Sequence, residues 1–250
     1  MKFLRRLSLI IRYELSWIIF ATISTVLNIG CALLLLFPNR KSLQPKVRKA
    51  IRNLFRGWIQ WQHMTGITSV HFHGFENVSF QPGTIFIANH PTIVDATFLL
   101  AELPDTICIF KPSLMRNPAI GPAAIMAGYV SADNGLDLIR DTADRLRAGA
   151  CLLIFPEGTR TEPGTVVGPL IPSFALIARR AKVPVQLILV HSSPEMGRRG
   201  RPWWLPPKVL PGRFDFTLDR AWAYDPDSSV EELTASITQH LHEALGNQQV

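Results

Sequence analysis

The sequence predicts an α/β fold: a mixed, largely parallel sheet flanked by helices, carrying an N-terminal membrane-associated helical hairpin. Three observations predict it. Short apolar or β-rich runs alternate with helical patterns from about residue 67 onward. A long uncharged stretch, Leu15–Phe37, precedes them. The charge is also split: residues 1–66 hold 11 basic and 1 acidic residue, whereas residues 67–250 hold 15 and 18. We therefore divide the chain into a hairpin, 1–66, and an α/β domain, 67–250. At 250 residues, 47% apolar and 18% charged, the chain is no disordered, collagenous or disulfide-scaffold protein. The basic excess sits on the front end of a mildly acidic body, which excludes a basic nucleic-acid domain. Cys31, Cys108 and Cys151 are far apart in apolar runs and predict buried, reduced thiols.

Leu15–Phe37 has 23 residues without a charge. As a helix it would reach roughly 35 Å, enough to cross a hydrocarbon core of ~30 Å. Ser16, Thr22, Ser24, Thr25, Asn28 and Gly30 dilute it, so a monotopic or re-entrant helix stays open beside a spanning one. No small-residue cleavage pattern follows Pro38, which argues against a cleaved signal peptide. Val47, Ile51, Leu54, Phe55, Trp58 and Trp61 then fall on one helical face, with Lys46, Lys49, Asn53, Arg56 and Gln60 opposite. Such a basic amphipathic helix is expected to lie among the headgroups of an anionic leaflet; the alternative is that its apolar face packs on the protein's own core. The uncharged run is flanked more heavily by Lys and Arg on its carboxyl side, which places the body on the cytoplasmic side.

In the body, Thr84–Ala88, Thr106–Phe110, Cys151–Phe155, Val185–Val190 and Phe214–Leu218 are compact, turn-bounded strand candidates. Leu136–Ala148 and Ser173–Lys182 predict helices, the first stopped by Gly149. A last helix spans Ser228–Leu245, with Ser228 and Glu231 as its capping box and Val230, Leu233, Ile237, Leu241 and Leu245 as its apolar stripe. His71-x-His73 alternates on a further strand; no third ligand is near, so no metal site is expected.

Two constellations carry chemistry. Asn89-His90-Pro91-Thr92-Ile93-Val94-Asp95 follows a strand, which puts His90 at a strand's carboxyl end, where α/β proteins build sites. Pro91 is expected to start a helix that lets Asp95 fold back to the imidazole. An Asp on one ring nitrogen would fix the tautomer and make His90 a general base; on this motif alone, a helix N-terminus with an incidental His and Asp stays open. Phe155-Pro156-Glu157-Gly158-Thr159-Arg160 follows a second strand, with Gly158 permitting a tight turn. Its carboxylate, hydroxyl and guanidinium suit a phosphate or polar headgroup, with an ordinary solvated turn as the alternative for this element alone.

H-x4-D followed by F-P-E-G-T-R at this spacing resembles the 1-acyl-sn-glycerol-3-phosphate acyltransferase family of lysophospholipid acyltransferases, over roughly residues 70–195. The resemblance implies a glycerolipid-acyltransferase-like fold and transfer of an acyl group from a thioester to a free lysolipid hydroxyl. It implies His90 as base, Asp95 as its partner, and Glu157, Gly158, Thr159 and Arg160 as holders of the acceptor phosphate, with Lys111 as a further basic contact. It implies membrane lipid as environment, a lysophospholipid acceptor, an acyl-CoA or acyl-carrier protein thioester as co-substrate rather than a cofactor, and a bacterial inner membrane as location. Oxyanion donors are expected from backbone N–H groups at Pro91–Ile93. No nucleophile elbow G-x-S-x-G is present, so no acyl-enzyme is required.

The sequence departs from the family pattern at three places. Thr92 stands where Ser is common, Asn134 in Gly128–Asn134 stands where an acceptor-binding Arg is common, and Val183–Leu187 keeps one of two usual prolines. Two alternatives follow: the same chemistry on a different lipid acceptor, and a non-catalytic membrane-anchored lipid-binding protein. Arg198–Trp204 mixes basic and aromatic residues and suits a headgroup-facing loop better than a nucleic-acid contact.

Overall fold

The computed structural model describes residues 2–76, 78–193, 197, 199, 200, 202 and 205–246. Most of the expected headgroup loop, Arg198, Arg201, Trp203 and Trp204, lies outside them. The chain opens with α1 (Lys2–Leu34) and, after a single 3-10 turn, α2 (Gln44–Met64). Then follow β1 (Thr68–His73), β2 (Ile85–Ala88), α3 (Asp95–Glu102) and β3 (Thr106–Phe110). Two short helices, α4 (Pro112–Met115) and α5 (Gly121–Ala127), lead to β4 (Val130–Ser131). The remainder is α6 (Gly135–Arg147), β5 (Cys151–Ile154), α7 (Ser173–Ala181), β6 (Val185–Ser193), β7 (Gly212–Trp222) and α8 (Val230–Gly246).

The strands form one sheet in the order β1-β7-β6-β2-β5-β3-β4. From β6 to β4 every neighbouring pair is parallel; β7 runs antiparallel to β6 and carries β1 parallel to itself. The predicted mixed, largely parallel sheet is the one observed. Strands β2 and β5 are buried along their whole length, as continuous apolar runs in a covered parallel sheet should be. Because β2, β5, β3 and β4 point the same way, the loops that follow them leave on one edge.

The hairpin is observed, but its second helix does not present its apolar face to lipid. Val47, Ile51, Trp58 and Ile59 are buried. Trp58 packs against Phe20 of α1 (ring centroids 4.4 Å) and against Phe98 of α3 (5.8 Å), and Phe98 sits edge-on to Phe214 of β7 (5.0 Å). The core-packing alternative therefore holds for α2, since the aromatic face already has a protein partner. Three of its arginines are also engaged, whereas Lys46, Lys49, Asn53 and Gln60 of the expected polar face stay exposed. Arg48 makes two bonds to Asp105 (2.6 and 2.7 Å) and one to the Ala127 carbonyl (2.8 Å). Arg52 and Arg56 donate to the Ala101 and Glu102 carbonyls, the open C-terminal end of α3, where cations are favoured.

Helix α1 differs. Asn28 accepts the Ala123 amide in the first turn of α5 (3.1 Å), and Ser16 accepts the Trp58 indole N–H (2.8 Å), which fixes one side. The rest is bare: Phe3, Leu4, Ile11, Ile18, Val26, Ile29 and Leu33 are all exposed. Phe3–Leu34 is the one helix among the described residues long and apolar enough to cross a membrane, with only 11% of its most apolar window buried.

Most expected boundaries hold within a residue or two. Strands β6 and β7 are longer than Val185–Val190 and Phe214–Leu218, α1 begins at Lys2 rather than at Leu15, and β4, α4 and α5 were not expected. The capping box sits one residue later than predicted: the Ser229 amide donates to Glu232 (2.8 Å), and the Glu232 amide donates to the Ser229 hydroxyl (3.1 Å). All three cysteines are buried and free.

Candidate active site

His90 stands two residues beyond the end of β2, and Asn89 between them is anchored first. Its side chain exchanges two hydrogen bonds with the backbone of Val190 on β6, both 2.8 Å, which continues the strand pairing by other means. No reading of residue type singled out Asn89; it looks like an ordinary polar residue at a strand end.

His90 Nδ1 lies 2.9 Å from Asp95 Oδ2. The same carboxylate accepts the Thr92 amide (2.7 Å) and, through Oδ1, the Thr92 hydroxyl. Asp95 and Thr92 are both 0% exposed. A carboxylate already receiving two donors leaves Nδ1 the donor role, so Nε2 is the nitrogen with a lone pair. The imidazole lies flat on Phe155, with centroids 4.1 Å apart and planes at 20°, which holds the ring from its side. His90's side chain is 18% exposed, so the ring is sheltered and one edge remains open.

The local backbone differs from expectation. The helix starts at Asp95 rather than Pro91, because residues 92–94 form a turn closed by the Asp95 side chain. This consumes the Thr92 N–H that the sequence offered as an oxyanion donor, and Pro91 has none. Among the described residues, the amides left without an acceptor in that turn are those of Ile93 and Val94.

The second constellation follows β5, the parallel neighbour of β2, and comes to the same edge. Gly158 takes φ +66°, and a Cβ there would meet Ile171 Cδ1 at 2.7 Å, so the turn needs glycine. Thr159 and Arg160 are half-buried, and Arg160 donates to the Gly197 carbonyl. Lys111 follows β3 and is exposed at the same edge. Asn134 follows β4 as the residue before α6, also exposed.

Glu157, expected to contact the acceptor, has its partners within the protein. Its carboxylate is buried, and both oxygens are occupied: Oε1 accepts the His90 amide (3.0 Å) and the Thr161 hydroxyl (2.8 Å), and Oε2 accepts the Gly168 amide (2.8 Å).

Of the histidine pair, His73 has a partner on the neighbouring strand, and its ring stacks on that of His71 (centroids 6.1 Å). His73 Nε2 meets Asp215 Oδ1 at 2.9 Å, while Arg213 grips the same carboxylate with two bonds. Arg213 first, and His73 and His71 after it, hold the Asp215 carboxyl below its ordinary value, at about 2.

Residues 69–190 match the family model described as acyltransferase. A 1-acyl-sn-glycerol-3-phosphate acyltransferase of Helicobacter pylori is 26% identical over 176 residues, covering 67% of this chain and 70% of that one. One of Limnanthes alba is 26% identical over 208 residues, covering 76% and 70%. Against a Cocos nucifera relative of the same description, 28% identical, the chain spans only 35% of its length. The crystal structure of the 1-acyl-sn-glycerophosphate acyltransferase PlsC from Thermotoga maritima superposes with a TM-score of 0.76 at 21% identity, over 100% of this chain and 98% of that one. That likeness establishes the fold, including the N-terminal hairpin.

Proposed function

We propose that this chain, whose residues 69–190 match the acyltransferase model, moves a fatty acyl group from an acyl thioester to the free hydroxyl of 1-acyl-sn-glycerol 3-phosphate, giving phosphatidic acid. The observation that carries the reading is the pairing of His90 Nδ1 with the buried Asp95 carboxylate, which leaves Nε2 open on the edge that also holds Arg160 and Lys111. An alcohol is far too weak an acid to ionise at neutral pH, so it needs a base as it attacks. Nε2 of His90 takes the hydroxyl proton while the alcohol oxygen bonds to the thioester carbonyl carbon. Asp95 holds the ring and stabilises its positive charge. The Ile93 and Val94 amides are the donors available to the developing oxyanion. The intermediate then collapses, the carbon–sulfur bond breaks, and His90 returns its proton to the leaving thiolate.

Arg160 and Lys111 supply the cations for the acceptor phosphate, with Gly158 and Thr159 shaping the turn that presents Arg160. The names of the relatives support this acceptor. The co-substrate is an acyl-CoA or acyl-carrier protein thioester, and the reaction needs no metal or other cofactor. The bare apolar side of α1 supports attachment to a membrane. The basic carboxyl flank of α1 (Arg40, Lys41, Lys46) supports a cytoplasmic body, on a bacterial inner membrane.

Asn134 favours a second reading, the same chemistry on another lysolipid, because an uncharged residue stands exposed where an acceptor-binding Arg is usual. The test uses membranes containing the wild-type chain or His90→Ala, a labelled acyl thioester of each type, and a panel of lysolipids. His90-dependent phosphatidic acid is expected. His90-dependent acylation of a different lipid would transfer the assignment to the second reading. Folded protein with no His90-dependent product would leave a lipid-binding protein.

A further inference from the structure

The loop between β5 and α7, residues 155–172, has no helix or strand of its own, yet it must present Arg160 at a fixed place. What fixes it is a small set of bonds around one carboxylate. Glu157 receives the His90 amide, the Thr161 hydroxyl and the Gly168 amide, and the Thr161 amide in turn donates to the His90 carbonyl (2.8 Å). Both backbone groups of His90 are thus bound to the loop, one at residue 157 and one at residue 161. Arg160 lies between those two anchor points in the chain. Gly168 belongs to the same arrangement, because a Cβ there would sit 3.1 Å from Glu157 Oε2.

We infer that Glu157 is a positioning residue that locks the base-bearing turn and the Arg160 loop into one unit, so that the acceptor's phosphate and its hydroxyl are held at a set separation. The inference rests on the acyl-transfer reading and deepens it, by moving Glu157 from the acceptor's ligands to the frame that aligns them. The carboxylate form is specifically required. All three partners are donors, and only an ionised carboxylate accepts on both oxygens. The amide of Glu157→Gln serves the His90 and Thr161 side with its oxygen and then turns an N–H toward the Gly168 N–H. Small misplacements at a reacting centre are costly, on the order of 100-fold for about 1 Å.

The experiment compares wild type, Glu157→Gln, Thr161→Val and Arg160→Ala in membranes, normalised to folded protein. With Glu157→Gln, kcat falls by about 10- to 100-fold while the acceptor KM stays within about threefold. Thr161→Val, which removes one donor and keeps the carboxylate, moves kcat the same way by less. Arg160→Ala is the reference for lost acceptor binding and raises KM. A Glu157→Gln profile that copies Arg160→Ala, with KM raised and kcat kept, makes Glu157 a direct ligand and overturns the inference. Unchanged kcat per folded molecule in both variants overturns it too.

Hydrogen exchange read by mass spectrometry supplies a measurement that needs no turnover. Peptides covering residues 86–95 and 161–170 are expected to gain exchange together in Glu157→Gln. Loosening of the second alone refutes the lock. A wild-type chain that acylates no lysolipid removes the function reading, whereas the exchange result still decides whether the two loops are joined.

Discussion

Thr92 donates both its amide and its hydroxyl to the two oxygens of Asp95, so the residue that aims His90 is itself aimed from two sides. The hydroxyl is therefore a working group. Thr92→Val keeps the shape and removes the donor, leaving a fully buried carboxylate oxygen without it. We expect activity to fall by roughly tenfold, with a lower melting temperature, consistent with about 1–3 kcal/mol for a lost partner to a buried acceptor. Thr92→Ser restores both. Acyl-transfer rates and thermal unfolding of the three forms check this.

Phe155 offers the imidazole a flat wall at 4.1 Å. Phe155→Leu fills much of the volume but holds the ring in no single plane. The expected result is a drop in kcat of about three- to tenfold with acceptor KM unchanged, and retention of activity in Phe155→Tyr. Steady-state kinetics on both variants decides it.

The ion pair between Arg48 and Asp105 is lopsided: the Arg48 side chain is 8% exposed and that of Asp105 44%. Removing the acid strands a buried cation, whereas removing the base leaves an acid that water reaches. Asp105→Ala is expected to destabilise by about 3 kcal/mol and Arg48→Met by about 1 kcal/mol. Denaturant or thermal unfolding in one detergent gives the order, and the reverse order refutes the argument.

Asp215 on β7 meets His73 of β1 and is gripped by Arg213 of its own strand, and its carboxyl is held at about 2 against an ordinary 3.8. A carboxyl depressed by folding adds stability above its unfolded value, and that stability is lost as pH falls toward the folded one. Wild type should therefore lose melting temperature between about pH 4 and pH 2 more steeply than Asp215→Asn. Parallel slopes in the two proteins would show that the carboxylate contributes nothing there.

The sheet was legible because its strands are apolar runs between turn residues, and burial on both faces leaves few other uses for such runs. His90 and Asp95 were legible because their spacing lets the carboxylate reach the ring, and because F-P-E-G-T-R at its distance made that motif specific. Other features were not. The periodicity of α2 shows an apolar face but not what covers it, and Phe98 lies too far along the chain for the pattern to reveal. Glu157 has the same residue type whether it binds a ligand or accepts from the backbone, so only the donors around it decide. Ser228, Ser229, Glu231 and Glu232 make two overlapping capping patterns, and the sequence is degenerate between them. β4 has two residues, too few for any alternation to register.

The partners of α2 also impose an order in time. Arg48 is made 57 residues before Asp105, and at about 5–20 residues per second the wait is roughly 3–10 s. Throughout that interval Val47, Ile51 and the side of Trp58 turned away from Phe20 have no sheet to pack on, while the apolar side of α1 beside them is bare as well. The hairpin therefore exposes more apolar surface while the chain is being made than in the finished fold, where only the bare side of α1 stays uncovered.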